Sequence, residues 1–317
     1  MELIWKQIRG KFVDDFQLPI TTLEDPYFDK QIHLLEDSFG AATKYLELMT
    51  IIRDYFNGNP QAFLEHRRSV KDKILSEILA SEGYKAMLAD KSPLEDYTPL
   101  VGARELYTEE QDGGMFVSFD MVKANFQALR YVDPSIVRDC ETWEEYVSKF
   151  TDIPYIAAAK QVRQEVLGKL NGKRLAAIER RIANEFAKEF KDRLGIYGFS
   201  LFSIKTDEII FKFDGSEKQF ESFKVLDQEF QGFKFRANKF RLHMRVFKRA
   251  LSDKRIVVYE KEDYLNARRR ILKAVPAIYY PQVYKLLNGM KINESEDLIF
   301  SHEHELCMFK YPIEPLK

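Results

Sequence analysis

Cysteine is scarce in this sequence. The 317 residues include two cysteines, Cys140 and Cys307. Two cysteines are too few for a disulfide-bonded scaffold or for a zinc site built from a cysteine cluster. We therefore expect a reducing compartment, cytoplasmic or nuclear; a viral origin is a further hypothesis that rests on the compact size of the chain.

Long hydrophobic runs are also missing. No stretch of about 18 consecutive apolar residues occurs, so the sequence predicts no transmembrane helix and no membrane partner. The first six residues contain an acid, Glu2, and no apolar segment follows them, which argues against a secretory signal peptide. What the chain does contain is 45% hydrophobic and 31% charged residues, the composition of a folded globular protein with a sizeable core.

Charge is distributed unevenly along the chain. Residues 1–110 carry 13 Lys and Arg against 20 Asp and Glu (net −7), whereas residues 111–317 carry 36 against 30 (net +6). Residues 233–255 hold nine basic side chains and one acidic one. The basic part indicates a polyanionic partner such as a nucleic acid, and the acidic part is a candidate surface for a protein partner. A solvated charged surface explains the same runs, so charge alone leaves both interpretations open.

Two aspartates lie where predicted strands meet turns. A buried strand is predicted over 115–120 and ends at Asp120, directly before a helical segment. Asp207 lies at the tip of a predicted hairpin whose strands cover about 195–204 and 208–213. If the two strands are neighbours in one antiparallel sheet, both carboxylates lie at the same edge of that sheet. The alternative for each is a solvated turn carboxylate or a helix cap.

This arrangement has a specific chemistry. Two carboxylates close together can bind a pair of Mg²⁺ ions, for which Mn²⁺ can substitute. Mg²⁺ usually takes one or two carboxylates together with substrate phosphates. A basic helix predicted over about 153–170 carries Lys160 and Arg163. Cations of this kind stabilise the charge on a phosphoryl group during transfer, so the helix is a candidate triphosphate-binding element.

Three segments resemble polymerase motifs. Phe119–Phe126 resembles motif A of template-dependent DNA polymerases, in which a strand ends in a metal-binding Asp and passes into a short helix. Lys160–Gly168 resembles the family B fingers motif, a Lys followed eight residues later by a Gly, and Ser203–Phe211 resembles motif C. The three occur in the family's order within about 104–260. The chain thus resembles the palm-domain nucleic-acid polymerases, closest to the family B DNA polymerases, in a divergent form without a recognisable exonuclease domain.

The resemblance implies an activity and a role for individual residues. It implies a nucleotidyltransferase that extends the 3′-hydroxyl of a primer on a template, with nucleoside triphosphates and two Mg²⁺ ions, as a minimal or split enzyme. Asp120 and Asp207 would bind the metals, and Glu208 would be a further catalytic residue. The implied substrate-binding residues are Met121, Asn125, Lys160, Arg163 and Gln164. The implied nucleic-acid-binding residues are Lys234, Arg236, Lys239, Arg241 and Arg245.

The predicted fold class is α+β. We expect an acidic helical region over 1–103, a palm-like antiparallel sheet over 104–262 with fingers helices at about 141–193, and a thumb-like region over 263–317. Finer predictions are a strand over 104–109, an amphipathic helix from Phe220 to Phe230, a helical segment around Arg268–Arg270 and a late strand over 302–309. The first 35 residues show no clear periodicity.

Two departures from the family pattern keep other functions open. Lys205 stands where family B has the first Asp of motif C, and Asn125 stands where motif A has an aromatic residue that screens the sugar. A second hypothesis is therefore a non-catalytic nucleic-acid-binding protein on a degenerate palm. A third is an interaction subunit of a larger replication complex. The pair His302 and His304 lacks the further ligands that zinc needs, and a surface strand explains it as well.

Overall fold

The computed structural model describes residues 2–90, 100–170, 172–249, 254–303 and 305–316, and it shows an α+β protein, as predicted. The helices are α1 (Glu2–Phe16), α2 (Tyr27–Leu34), α3 (Glu36–Phe39), α4 (Ala41–Phe56), α5 (Pro60–Ala80), α6 (Glu82–Ala89), α7 (Ala124–Val132), α8 (Trp143–Val147), α9 (Pro154–Ala158), α10 (Lys160–Leu167), α11 (Gly172–Gly195), α12 (Glu217–Ser222), α13 (Tyr280–Leu287) and α14 (Glu294–Asp297). The strands are β1 (Met115–Met121), β2 (Phe199–Ile204), β3 (Glu208–Phe213), β4 (Gln228–Phe230), β5 (Phe233–Arg249), β6 (Arg255–Asp263), β7 (Arg269–Lys273), β8 (Ile299–His302), β9 (Glu305–Met308) and β10 (Ile313–Pro315). Within these ranges, no helix combines the length and the apolar character that crossing a membrane requires.

Local sequence signals explain where the N-terminal helices begin and end. α4 ends at Asn57, whose φ of 51° is left-handed, a conformation that asparagine adopts more readily than most residues. Asn59 then caps α5, because its side chain accepts hydrogen bonds from the backbone N–H groups of Gln61 and Ala62. Pro60 occupies the first turn, where the missing N–H has no helical partner to lose.

The main sheet is antiparallel and places β1 at its centre. The strand order is β2-β3-β1-β5-β6-β7, and β4 and β10 pair with β5. Strands β8 and β9 form a separate hairpin. Phe116, Val117, Ser118 and Phe119 of β1 are all buried. This burial on both faces agrees with the apolar run in the sequence and arises because both faces of the central strand are covered.

Different layers cover the two faces of β1. On one face, Phe119 packs against Phe186 of α11 with ring centres 5.1 Å apart, and Phe186 stacks on Phe235 of β5 at 4.3 Å. On the other face, a small cluster includes Phe116, Phe240 and the loop residue Leu106. Helix α11 therefore covers one face of the sheet. On the opposite face, the area outside the small cluster is available for polar side chains.

One hydrophobic core joins the N-terminal helices to α10, α11 and the sheet. It runs from Phe12 of α1 and Ile74 of α5 through Val162 of α10 to Phe186 and Phe119. Helices α1 and α5 both pack directly on α10. The region 1–103 therefore has no core separate from that of the predicted fingers.

Three finer predictions are wrong. Residues 104–108 form no strand, because the backbone of Arg104 exchanges hydrogen bonds with the side chain of Ser203 and not with a strand backbone. The predicted helix from Phe220 to Phe230 ends with α12 at Ser222, and its last part is β4, which pairs with β5.

The segment around Arg268–Arg270 is a turn followed by a strand. Ala267 and Arg268 have left-handed φ values of 48° and 56°, which ends any helix and reverses the chain. Strand β7 then pairs with β6 and extends the main sheet across the predicted boundary at 262. The predicted late strand over 302–309 is the second half of the hairpin formed by β8 and β9, and His304 lies outside the described residues.

Candidate active site at the strand ends

Asp120 lies near the end of β1 between an acid and a base. In the register of the sheet it is directly opposite Glu208 of β3 and Arg236 of β5, and directly paired residues of antiparallel strands share one face. Burial raises the pKa of Asp120 to about 6, and the negative charges of Asp207 and Glu208 act in the same direction. Arg236 and Lys160 oppose this increase. The carboxyl therefore lies among several other charged groups.

Backbone hydrogen bonds hold the hairpin tip beside the end of β1. The N–H of Met121 donates to the carbonyl oxygen of Asp207 at 2.8 Å. At the tip itself, the N–H of Lys205 donates to the carbonyl oxygen of Glu208, also at 2.8 Å. These bonds fix the turn that carries Asp207 directly before β3, so this residue lies beside the end of β1 although the two aspartates are far apart in sequence.

The turn after Asp120 is fixed by side chains of α7. Lys123 adopts a left-handed φ of 54°, and α7 begins at the next residue. The Gln127 side chain donates to the carbonyl oxygen of Val122 and accepts a hydrogen bond from the N–H of Lys234 at 2.6 Å. The Lys123 ammonium forms an ion pair with Glu144 of α8. This network ties β1, α7 and β5 together at the point where the chain leaves Asp120.

Most of the site residues that the sequence predicts line a single cavity of about 440 Å³. Its lining consists of Asp120, Met121, Val122, Lys123, Ala124, Asn125, Lys160, Arg163, Gln164, Leu167, Glu179, Asp207 and Arg236. Both predicted metal ligands and all five predicted substrate-binding residues are in this set. Glu208 is absent from the lining and lies beside the cavity as the strand neighbour of Asp120.

Helix α10 contributes cations to the cavity. Lys160, Arg163 and Gln164 are three or four residues apart, so they share one face of the helix, while Val162 and Val166 are buried on another. The Lys160 ammonium donates to the Gln17 side chain, just after α1, at 2.7 Å. Burial lowers the pKa of Arg163. The predicted helix over 153–170 is broken at Ala159, whose ψ of 111° is extended, and Lys160 is the first residue after this break.

The cavity contains a third carboxylate that the sequence-based search did not identify. Glu179 of α11 is 5% exposed, and its Oε1 has no hydrogen-bond partner among the described residues. Burial raises the pKa of Glu179, the charge of Asp207 acts in the same direction and that of Arg180 opposes them, which together give a pKa of about 7. One sequence feature could have identified Glu179: it is an acid beside Ile178, within the apolar stripe that α11 presents to the core.

The five predicted nucleic-acid-binding residues do not form one surface. Arg236 lines the cavity and Lys234 is exposed. Lys239 is 3% exposed and its ammonium donates to the carbonyl oxygens of Glu221 and Phe223, so it stabilises the end of α12 and is not placed to contact a nucleic acid. Alternation along β5 divides the set between the two faces of the sheet. The remaining two pair with acids, Arg241 with Glu217 and Arg245 with Glu260.

Other cations share the face of Asp120. The sheet register places Lys248 of β5, Arg255 and Lys261 of β6, and Lys273 of β7 on this face. Burial lowers the pKa of Lys261 to about 8, although the charge of Glu208 opposes this decrease. Lys248 and Arg255 are exposed. The same face also carries acid: Asp263 ends β6, the acidic loop that holds Tyr107 packs over Tyr259, and Lys248 pairs with Glu314 at 3.1 Å. The positive charge on this face therefore lies in separate groups and not in one continuous line.

The carboxylates of the cavity would hold a divalent cation together with water or phosphate oxygens. Within the described ranges, no three His, Cys, Asp or Glu side chains are grouped closely enough to hold a metal ion by themselves. Asp120 and Asp207 supply hard oxygen donors, and their mutual repulsion is the kind that a bound cation relieves. Two carboxylates with phosphate oxygens are the usual donor set of Mg²⁺. His302 is exposed and its nearby partner is Glu303, so the histidine pair gives no support for a zinc site.

Comparison with known proteins returned no match. No family model, no curated protein and no solved structure matches this chain. A function must therefore be argued from the geometry and chemistry of the cavity.

Proposed function

We propose that this protein is a nucleotidyltransferase that extends the 3′-hydroxyl of a nucleic acid, as a template-dependent polymerase does, with nucleoside triphosphates and Mg²⁺. The observation that carries this proposal is that Asp120 and Asp207 line one cavity with Lys160 and Arg163 of α10. Carboxylates for a metal and cations for a triphosphate are thereby brought together, which is what phosphoryl-transfer chemistry requires.

The carboxylates would hold the metals. Asp120 and Asp207 supply the protein oxygens, and a pair of bound Mg²⁺ ions would lower the pKa of the attacking hydroxyl and neutralise the leaving pyrophosphate. Arg236 lies opposite Asp120 in the sheet and limits the repulsion among the acids while the site is being filled. These residues thus set the position at which the primer terminus meets the triphosphate.

The face of α10 that lines the cavity would hold the triphosphate. Lys160 and Arg163 carry the positive charge, and the Gln164 amide can hydrogen-bond a phosphate or a sugar. Lys160 already donates to Gln17, so a phosphate oxygen would replace a neutral acceptor by a charged one. Charge-assisted hydrogen bonds are roughly twice as strong as neutral ones, which favours that exchange.

The nucleic acid would contact the cations on the face of Asp120. Lys248, Arg255 and Lys273 share the face of Asp120 and point away from the helical layer. Such contacts with phosphates supply affinity without sequence preference. Asn125 is exposed in the cavity, and its amide can hydrogen-bond a sugar hydroxyl, so both ribonucleotides and deoxyribonucleotides belong in the assay.

The experiment is primer extension with Mg²⁺ and with Mn²⁺. We expect the parent chain to add nucleotides, and Asp120→Asn and Asp207→Asn to lose at least about a hundredfold in rate, because each substitution removes a metal-binding carboxylate. Asp214→Asn is the matched control, since Asp214 is an exposed acid after the far end of the same hairpin. Equal extension by the parent and both cavity variants would refute the assignment.

A second candidate is nucleic-acid binding without catalysis. The observation in its favour is that Lys205, a cation, stands at the hairpin tip two residues before Asp207. Binding whose affinity falls steeply with salt, in the absence of any incorporation by the parent, would favour this candidate. Substituting Lys248 and Arg255 together would then weaken binding while Asp120→Asn would not.

A further inference from the structure

Glu179 is a buried carboxylate that the described protein leaves without a partner. It lines the cavity from the α11 side, it is 5% exposed, and its Oε1 accepts no hydrogen bond from any described residue. Leaving a buried polar group unsatisfied costs about 1–3 kcal/mol, and more when the group is charged. Such a group in a native fold needs an explanation, and a bound water or ion is one that fits a group lining a cavity.

The cations of the cavity do not supply that partner. Lys160 donates to Gln17, and Lys123 is paired with Glu144. In the part of the chain that the structure describes, neither they nor Arg163 forms an ion pair with Glu179. The nearest charge effects on Glu179 come from Asp207, which repels it, and from Arg180 of the same helix. Glu179 is thus close to a second acid and forms no ion pair with these basic side chains. This arrangement favours binding of a metal cation.

Direct coordination does not fit the spacing of the side chains. The described acids nowhere form a group of three that could hold a metal between them. Mg²⁺ dehydrates reluctantly and keeps several waters when it binds to one or two carboxylates. Carboxylates outside the direct ligand set commonly accept hydrogen bonds from such groups and orient them.

We propose that Glu179 is the outer-sphere carboxylate of the divalent-cation site, and that it accepts hydrogen bonds from water bound to the cation held by Asp120 and Asp207. This inference rests on the proposed function, because it uses the same cation site. Glu179 thereby supplies the third negative charge that the hairpin tip lacks at Lys205. It is a positioning residue, since it acts on the cation through water and touches neither the nucleic acid nor the triphosphate.

The test is Mn²⁺ binding to the full chain without nucleotide, followed by electron paramagnetic resonance of the free ion. We expect Glu179→Gln to weaken Mn²⁺ binding about tenfold to a hundredfold, as loss of an outer-shell partner typically does. Glu189→Gln is the matched control, because Glu189 is an exposed acid of the same helix whose partner is Arg193. The control removes the same charge and should bind Mn²⁺ as the parent does.

The Asp207→Asn variant separates failure of this inference from failure of the proposed function. If the parent binds Mn²⁺, Asp207→Asn abolishes binding and Glu179→Gln binds as tightly as the parent, the role of Glu179 is refuted and the cation site stands. If the parent and Asp207→Asn bind Mn²⁺ equally weakly, the cation site itself is refuted. Circular dichroism of each variant shows whether a change in binding reflects loss of the fold.

Discussion

At the scale of single residues, the cavity concentrates charge of both signs in a partly buried space. Asp120, Asp207 and Glu179 face Lys160, Arg163 and Arg236 around about 440 Å³. Burial raises the pKa values of Asp120 and Glu179, and mutual repulsion adds to the effect. Strongly perturbed carboxyls in a cavity are a physical mark of functional sites, although ion-pair networks can also produce them. Glu179 adds a second observation in the same cavity, because its buried Oε1 has no partner among the described residues.

The raised pKa of Glu179 predicts how stability depends on pH in the absence of metal. Its pKa is about 7 in the folded chain against an ordinary value of 4.5, with Asp207 raising it and Arg180 lowering it. Between these values the unfolded chain releases the proton and the folded chain keeps it, so this residue lowers the free energy of unfolding as pH rises from 4.5 to 7. We expect Glu179→Gln to match the parent at pH 5 and to be more stable by roughly 2 to 3 kcal/mol at pH 8 in EDTA.

Urea denaturation at both pH values measures this difference. Glu189→Gln should follow the parent throughout, since its carboxylate is exposed and paired with Arg193. If Glu179→Gln and the parent lose stability in parallel between pH 5 and pH 8, Glu179 is not a buried, unpartnered acid.

At the scale of elements, helix α10 is anchored by the N-terminal helices. Glu165 of α10 forms ion pairs with Lys11 of α1 at 3.7 Å and with Lys71 of α5. Arg67 of α5 donates to Asp15 of α1 at 2.6 Å, and both side chains are almost fully buried. The Tyr155 hydroxyl of α9 donates to the same carboxylate at 3.1 Å. These bonds set the position of the helix that presents Lys160 and Arg163 to the cavity.

Removing the Asp15 carboxylate is therefore expected to destabilise the chain. Asp15→Asn removes the closer counter-charge of the buried Arg67 guanidinium and leaves Glu165, at 3.7 Å, as the remaining one among the described residues. Breaking a buried pair costs about 3–5 kcal/mol. Asp14→Asn is the neighbouring control, because Asp14 is exposed on the same helix. Urea denaturation of the two variants measures the difference, and equal midpoints would contradict the proposed anchoring.

The elements that local sequence signals determine could be predicted, and those that tertiary contacts determine could not. Strand β1 was predicted because an apolar run lies between a glycine turn and a helical segment, and Asp120 ends that run. Strand β7 was missed because the left-handed residues of the turn before it are Ala267 and Arg268, and neither is a glycine or an asparagine, the residues that usually mark such a conformation. The end of α12 was missed because its carbonyl groups bond to Lys239, which lies on a strand of the main sheet.

At the scale of the whole molecule, the site depends on long-range contacts that the sequence shows only in part. Motif order pointed to Asp120, Lys160 and Asp207, and the structure lines one cavity with all three. Glu179 was not identified, because its apolar neighbours indicate only that this face of α11 is buried. The packing of α11 against the hairpin tip decides which groups lie next to Glu179, and the sequence does not show this packing. The N-terminal helices illustrate the same limit, since their core is shared with α10 and α11 and is not their own.

The most direct measurement is a crystal structure of the protein soaked with Mn²⁺ and a non-hydrolysable nucleoside triphosphate, with anomalous data recorded for manganese. Our account predicts manganese between Asp120 and Asp207, with the triphosphate against Lys160 and Arg163. Manganese and triphosphate bound at another place, while this cavity is empty in the same crystal, would contradict it.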